Sequence, residues 1–198
     1  MDYAGATPMD EGVRLAMEPY FEDKFGNPAA LYRAGRIAKE AMDNARKSIA
    51  KILNAGESEI IFTAGSTEAD NLAIFGTAAA LLAQNSQRYN RTSYCTNKEV
   101  EGSEERAGHI IISAIEHHVV LNAATELKKQ GFEVSLAPVD SEGITQIGEL
   151  EKLIRPDTFL VSVMYANNEI GTIQPIAEIG KLIKKARAER KAAVNETP

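Results

Sequence analysis

The spacing of apolar positions divides the chain into helical and strand-like stretches. Residues 11–25 carry a one-sided helical pattern, and after Asn27-Pro28 the set Ala34, Ile37, Ala38, Ala41, Ala45, Ile49 and Ile52, three or four apart, predicts a longer amphipathic helix. Beyond Asn54-Ala55-Gly56, residues 59–63 (EIIFT) form a short apolar run of strand length, followed by a glycine-containing turn and an Ala/Leu-rich helix over 68–83. The same order returns at 109–113 (HIIIS) with a helix over 119–130, and at 158–165 with a helix over 176–193. A further strand is predicted at 132–137. These strands are continuous rather than alternating apolar runs, the pattern of strands buried on both faces, and the helices between them suit right-handed parallel crossovers. The predicted fold is α/β, a three-layer sandwich around a mostly parallel sheet.

Two segments interrupt the pattern. Residues 84–108 are almost wholly polar with no apolar period, so they are read as a long surface insertion, and Cys95 lies inside it. A reactive thiol needs a helix terminus or a cationic pocket to lower its pKa, and a solvated loop supplies neither. The basic run Lys181, Lys184, Lys185, Arg187, Arg190 and Lys191 shares one amphipathic helix with Glu178 and Glu189, which makes it a solvated face. Residues 193–198 form a polar tail.

Composition narrows the function classes. The chain has 198 residues, 44% hydrophobic and 25% charged, the average of a globular protein, and excludes wholesale disorder. A net charge of -6 and a pI near 5.2 leave no domain-wide positive field, so nucleic acid is not an expected partner. The single cysteine cannot close an intramolecular disulfide and fits a reducing compartment. The first ten residues show no apolar signal region, and no window approaches ~18 uninterrupted apolar residues. A soluble, cytoplasmic protein that does not engage a membrane is expected.

Three polar clusters each follow the carboxyl end of a predicted parallel strand, where open α/β sheets place their ligand crevice. In Thr63-Ala64-Gly65-Ser66-Thr67-Glu68, Gly65 permits a tight turn while Ser66 and Thr67 offer hydroxyls and amides at a helix start, a setting suited to a phosphate. Taken alone, Thr67 with Asp70 three residues on is more simply an ordinary capping pair that needs no ligand. In Ile115-Glu116-His117-His118-Val119, a histidine at a strand end can stack on a flat cofactor or move protons near neutral pH, or simply occupy a polar turn. No third ligand falls at a metal-binding spacing, so no metal site is predicted. In Ala166-Asn167-Asn168-Glu169-Ile170-Gly171, the two amides can hydrogen-bond a ring hydroxyl or a carboxylate, and Asn-Asn before Gly is also a common turn. Three such clusters at successive strand ends point to one anionic, planar ligand.

With Asp2-Tyr-Ala-Gly-Ala-Thr-Pro8, Phe25-Gly-Asn-Pro28, Phe62-Thr-Ala-Gly-Ser-Thr-Glu-Ala-Asp-Asn-Leu72, Ile115-Glu-His117 and Val163-Met-Tyr-Ala-Asn-Asn-Glu-Ile-Gly-Thr-Ile-Gln-Pro175 in order, the chain resembles the amino-terminal half of cysteine desulfurases, in the class V aminotransferase branch of pyridoxal-phosphate (PLP) enzymes. The resemblance implies the aspartate-aminotransferase-like fold, truncated, with 1–25 as an amino-terminal segment and 26–192 as a partial PLP-binding domain. It implies that Gly65, Ser66 and Thr67 hold the cofactor phosphate. His117 would stack on the pyridine ring and move protons as the catalytic residue. Asn168 would face the ring oxygen and the substrate, and Asn27 would stand on the substrate side. Ala6 stands where the family usually has Thr, and Tyr32 and Tyr165 stand where His is common.

The activity so implied is conversion of L-cysteine to L-alanine with an enzyme-bound persulfide, its sulfur passing to an acceptor or scaffold protein for iron–sulfur assembly or thiolation, in a homodimer when complete. A selenocysteine lyase, another class V aminotransferase, and a non-catalytic fragment or subunit of a split enzyme are the alternatives. The family's pyridinium-pairing Asp, its Ser-His-Lys segment and its sulfur-accepting cysteine loop have no counterpart in the sequence. A Schiff base needs an amine held in a dry site, and every lysine here falls on a helical or flanking stretch or in the insertion, so the isolated chain is not expected to turn over.

Overall fold

The computed structural model describes residues 3–89 and 107–195. Most of the predicted insertion, with Cys95, and the last three residues of the predicted tail lie outside them. Contacts group the chain into two compact units, Met1–Thr63 and Ala64–Pro198.

The first unit is helical. Asp10 caps α1 (Glu11–Met17) by accepting from the amides of Gly12 and Val13 at 2.8 and 3.3 Å. The single helix predicted over 11–25 is broken at Pro19, which has no N–H to continue the ladder and instead opens α2 (Pro19–Glu22). The predicted long helix is α3 (Arg33–Leu53), closed by Asn54 in the left-handed conformation at φ 51°. Before it, the Asn27 side chain accepts from the Ala29 amide at 2.9 Å and its carbonyl from Ala30 at 2.9 Å, so residues 27–30 make a tight turn. The start of α3 lies directly on this turn: a Cβ on Gly35 would stand 2.5 Å from the Ala30 oxygen and 2.6 Å from the Asn27 oxygen.

The strand predicted at 59–63 does not form. Residues Glu57–Glu59 make a 3-10 turn and 60–63 run without a ladder. A strand exists only when a neighbour completes its hydrogen bonds, and no described segment pairs with this one. Ile61 is accordingly 68% exposed. Arg46 braces the segment, donating to the Ile60 carbonyl at 3.3 Å with its guanidinium 5.1 Å from the Phe62 ring centre.

The second unit realises the three layers. Its elements are α4 (Ser66–Tyr89), β1 (His109–Ser113), α5 (His118–Lys129), β2 (Glu133–Ala137), α6 (Ile147–Leu153), β3 (Thr158–Ser162) and α7 (Ile176–Asn195). The sheet order is β2-β1-β3, all parallel, with Ile111 opposite Ser135 and Val161. Every residue of the central β1 is buried. Ile110 and Ile112 pack with Ile74, Ala78, Ala124 and Leu127 of α4 and α5, while Ile111 faces the other way to Leu150 of α6 and Ile179 of α7. The period of two thus supplies both hydrophobic layers from one apolar run.

Other departures have simple causes. Helix α4 runs six residues past its predicted end and takes up the start of the predicted insertion, because 84–89 contain neither Gly nor Pro and Gln and Arg are adequate helix formers. Helix α7 likewise runs into the predicted tail. Strand β3 stops at Ser162 rather than 165, since the chain turns into a hairpin closed by an Ala166–Ile173 bridge. Helix α6 was not predicted: at seven residues it is too short to show a clear period. His109 is a core histidine, its two ring nitrogens 2.7 Å from Thr158 Oγ1 and 2.9 Å from Ser135 Oγ.

Candidate functional site

The carboxyl ends of β1 and β3 and the start of α4 border a cavity of about 350 Å³, whose lining includes Ser66, Asp70, Glu116, His117, Ser162 and Met164. A second cavity of about 210 Å³ shares Glu116, His117 and Met164 with the first and adds His118, Asn167, Asn168 and Glu169. Two of the predicted clusters, represented by Ser66 and His117, meet in the first cavity, and His117 and Asn168 meet in the second. Asn27 belongs to the other unit. Among the described residues no lysine lines either cavity.

At the α4 start the Glu68 carboxylate folds back to accept from the Ala64 amide at 2.7 Å, and the Gly65 carbonyl accepts from Ala69 at 3.1 Å. The capping acid is therefore Glu68 and not the predicted Asp70, whose side chain faces the cavity. Apart from its chain neighbours, nothing lies within 4 Å of where a Gly65 Cβ would be.

The turn after β1 presents His117 as the N-cap of α5. Its Nδ1 accepts from the Val119 amide at 3.2 Å, which assigns the proton of the neutral ring to Nε2. The ring is exposed, and the His118 ring lies edge-on 6.2 Å away. Glu116 turns inward instead and is 8% exposed, accepting from Ser162 Oγ at 3.4 Å. Burial pushes its carboxyl pKa up, against the opposing Met164 amide and Ser162 hydroxyl, and the Asp70 charge adds to the rise. Nothing local in the sequence marks Glu116, because its neighbours on β3 are forty-six or more positions away.

A raised folded-state pKa means that the folded protein holds the Glu116 proton at pH values where the unfolded chain has released it. Stability is therefore expected to fall as pH rises from about 4 through the raised pKa. Urea midpoints measured across this range should decline less steeply in Glu116→Gln than in the wild type; parallel profiles would show that Glu116 titrates normally.

The turn after β3 is organised by Asn167, whose Oδ1 accepts from the amides of Glu169 and Ile170 at 2.8 and 3.1 Å. Gly171, at φ 74°, donates to the Asn167 carbonyl at 2.9 Å in a conformation that favours glycine. Asn168 sits exposed at the tip. The hairpin's far end is fixed by buried Gln174, which accepts from the amide and hydroxyl of Thr145 at 2.8 Å each and donates to the Gly143 carbonyl at 2.8 Å. No side-chain group of three or more His, Cys, Asp or Glu among the described residues is placed to hold a metal.

An α/β unit with its polar residues gathered at the carboxyl ends of a parallel sheet is a ligand-binding architecture. The chain belongs to the class-V aminotransferase family, whose profile, Aminotransferase class-V, matches residues 1–99 and 95–190. It is 42% identical over 185 residues to "Cysteine desulfurase IscS" of Dictyoglomus turgidum and 44% identical over 185 residues to the protein of that name from Methanosarcina thermophila, each alignment covering 93% of this chain and 41% and 40% of the relative. Among solved structures, "SspA in complex with cysteine" superposes with a TM-score of 0.75 at 38% identity, over 93% of this chain and 47% of that one. The chain thus spans less than half the length of these relatives. The fold is that of the PLP-dependent transferases, and the family is PLP-dependent.

The donor set fits such a cofactor. A helix start that carries the Ser66 hydroxyl suits a phosphate, a flat imidazole with its proton on Nε2 suits a planar ring, and the first cavity's volume falls in the range of about 300–1,000 Å³ used by small-ligand sites.

Proposed function

We propose that this chain forms the phosphate and ring side of the PLP site of a cysteine desulfurase. The observation that carries the reading is the convergence of Ser66, His117 and the β3-end residues Ser162 and Met164 on one cavity. Gly65, Ser66 and Thr67 would hold the phosphate at the α4 start, where helix amides lack intrahelical acceptors. His117 would lie against the ring, with Nδ1 engaged by Val119 and Nε2 directed to the site as the atom that holds and moves a proton. Asn168 would donate its amide to the ring oxygen or to the substrate carboxylate, and Asn27 would serve the substrate side. When bound, PLP supplies an electron sink for negative charge developing at the substrate Cα.

L-Cysteine as substrate is supported by the names of the curated relatives and by the cysteine complex of one structural neighbour. The products would be L-alanine and persulfide sulfur for an acceptor or scaffold protein, and a homodimer is the assembly we infer for the whole enzyme. A cytoplasmic setting fits the single cysteine, and no helix among the described residues is long and apolar enough to cross a membrane.

Among the described residues neither cavity lining includes a lysine, which supports a second element of the reading: these residues form a half-site that lacks its Schiff-base amine. Treatment of the chain with PLP followed by borohydride, with peptide mass analysis, is expected to give no stoichiometric adduct at any one lysine. A single lysine fixed in full yield would show that the chain completes the site alone and would overturn the half-site.

A further inference from the structure

We infer that Asn167 is a positioning residue that ties the turn carrying His117 to the turn carrying Asn168. Its side chain works in two directions at once. The Oδ1 accepts the Glu169 and Ile170 amides and so shapes its own turn, while Nδ2 crosses from the β3 end to the β1 end and donates to the Ile115 carbonyl at 3.1 Å. The main chain of Asn167 is held as well, its N–H donating to Thr172 and its carbonyl accepting from Gly171, both at 2.9 Å. That hairpin is in turn anchored to the body of the unit by Gln174 and by Thr172 Oγ1, which donates to the Glu142 carbonyl at 2.9 Å.

The His117 turn is held at its two ends, by the Ala114 amide on the Ala137 carbonyl at 3.0 Å and by the Val120 amide on the His117 carbonyl at 2.9 Å, and more loosely between them. Within it the Glu116 amide reaches the Ser113 carbonyl at 3.3 Å and the Ile115 amide reaches Ser113 Oγ at 3.4 Å, both long. Across the sheet it is held by the Glu116 carboxylate, which meets the Met164 amide and lies 3.4 Å from Ser162 Oγ, and by Asn167 Nδ2 at 3.1 Å from the Ile115 carbonyl. The anchored hairpin therefore helps to position the His117 turn, and the Asn167 amide ties together the two turns whose His117 and Asn168 both line the second cavity. That these two groups face a ligand rests on the reading above; the latch itself is tested on the chain without cofactor, so that the two can fail separately.

The test uses Asn167→Asp, which keeps Oδ1 and loses the donor, beside Asn167→Ala, which loses both. Amide hydrogen exchange resolved by residue, and the side-chain nitrogen shifts of His117, are recorded in the full chain. In Asn167→Asp the Glu116 and Val119 amides are expected to exchange about tenfold faster while Glu169 and Ile170 change less than about twofold, and the His117 ring should move from its Nε2–H pattern toward the average of both tautomers. In Asn167→Ala both turns should exchange faster. Amides of β1 should be unchanged in both variants, which separates the latch from general loosening. Unchanged exchange at Glu116 and Val119 with an unchanged His117 ring in Asn167→Asp would overturn the proposal, as would a uniform acceleration that includes β1.

Discussion

Ile111→Ala is expected to cost about 2–5 kcal/mol of unfolding free energy, a large part of the roughly 5–15 kcal/mol that holds a domain folded. Ile111 is 0% exposed in the middle of the central strand and is the only β1 residue in the cluster formed with Ala137, Leu150 and Ile179. Truncation leaves a cavity between the sheet and the α6/α7 layer that strands paired on both sides cannot collapse to fill. Ile61→Ala makes the same chemical change at a site left in water by its missing strand partner and should stay within about 0.5 kcal/mol. Urea unfolding of the two variants checks both. Equal effects would mean that the three-layer packing around β1 is wrong.

Gly35→Ala should destabilise the first unit by about 1–3 kcal/mol, against the ordinary preference of helices for alanine. The new methyl would stand 2.5 and 2.6 Å from two backbone oxygens, and backbone cannot yield as a side-chain tip can. The turn it would displace is the one capped by Asn27, so the variant disturbs the proposed substrate-side residue too. Gly180→Ala in α7 is the counterpart. Outside its own helical turns nothing lies within 4 Å of its would-be Cβ, and there the same substitution should stabilise by about 0.5–1 kcal/mol. Opposite signs in thermal or urea unfolding are the expected result; two stabilisations would contradict the packing of α3 on the 27–30 turn.

What was legible in the sequence was what depends on local pattern. The run Ile110-Ile111-Ile112 announced a strand buried on both faces, and the three-or-four spacing from Ala34 to Ile52 announced α3. The polar clusters at 63–68, 115–119 and 166–171 were visible as interruptions of apolar runs, and two of them converge where parallel topology places a crevice. What failed depended on partners. The run at 59–63 has the composition of a strand, but composition supplies no neighbour, and Pro19 divides a helix whose apolar period continues across it. Glu116, Asn167 and Gln174 gained their roles only on folding, since their contacts lie 46, 52 and 29 positions away. A charged or amide side chain in a turn looks solvated until tertiary structure buries it.

The central claim is that the helix start at Ser66 and the two strand-end turns together receive the phosphorylated ring. The most direct measurement is residue-resolved amide shift mapping of the chain titrated with pyridoxine 5′-phosphate, which has the phosphate and ring of PLP but no aldehyde to couple to surface lysines. Saturable shifts confined to 65–67, 116–119, 162–164 and 167–169, lost in Ser66→Ala together with His117→Ala, are the expected result. Shifts scattered over the lysine-bearing faces of α3 and α7, or none at all, would contradict the account.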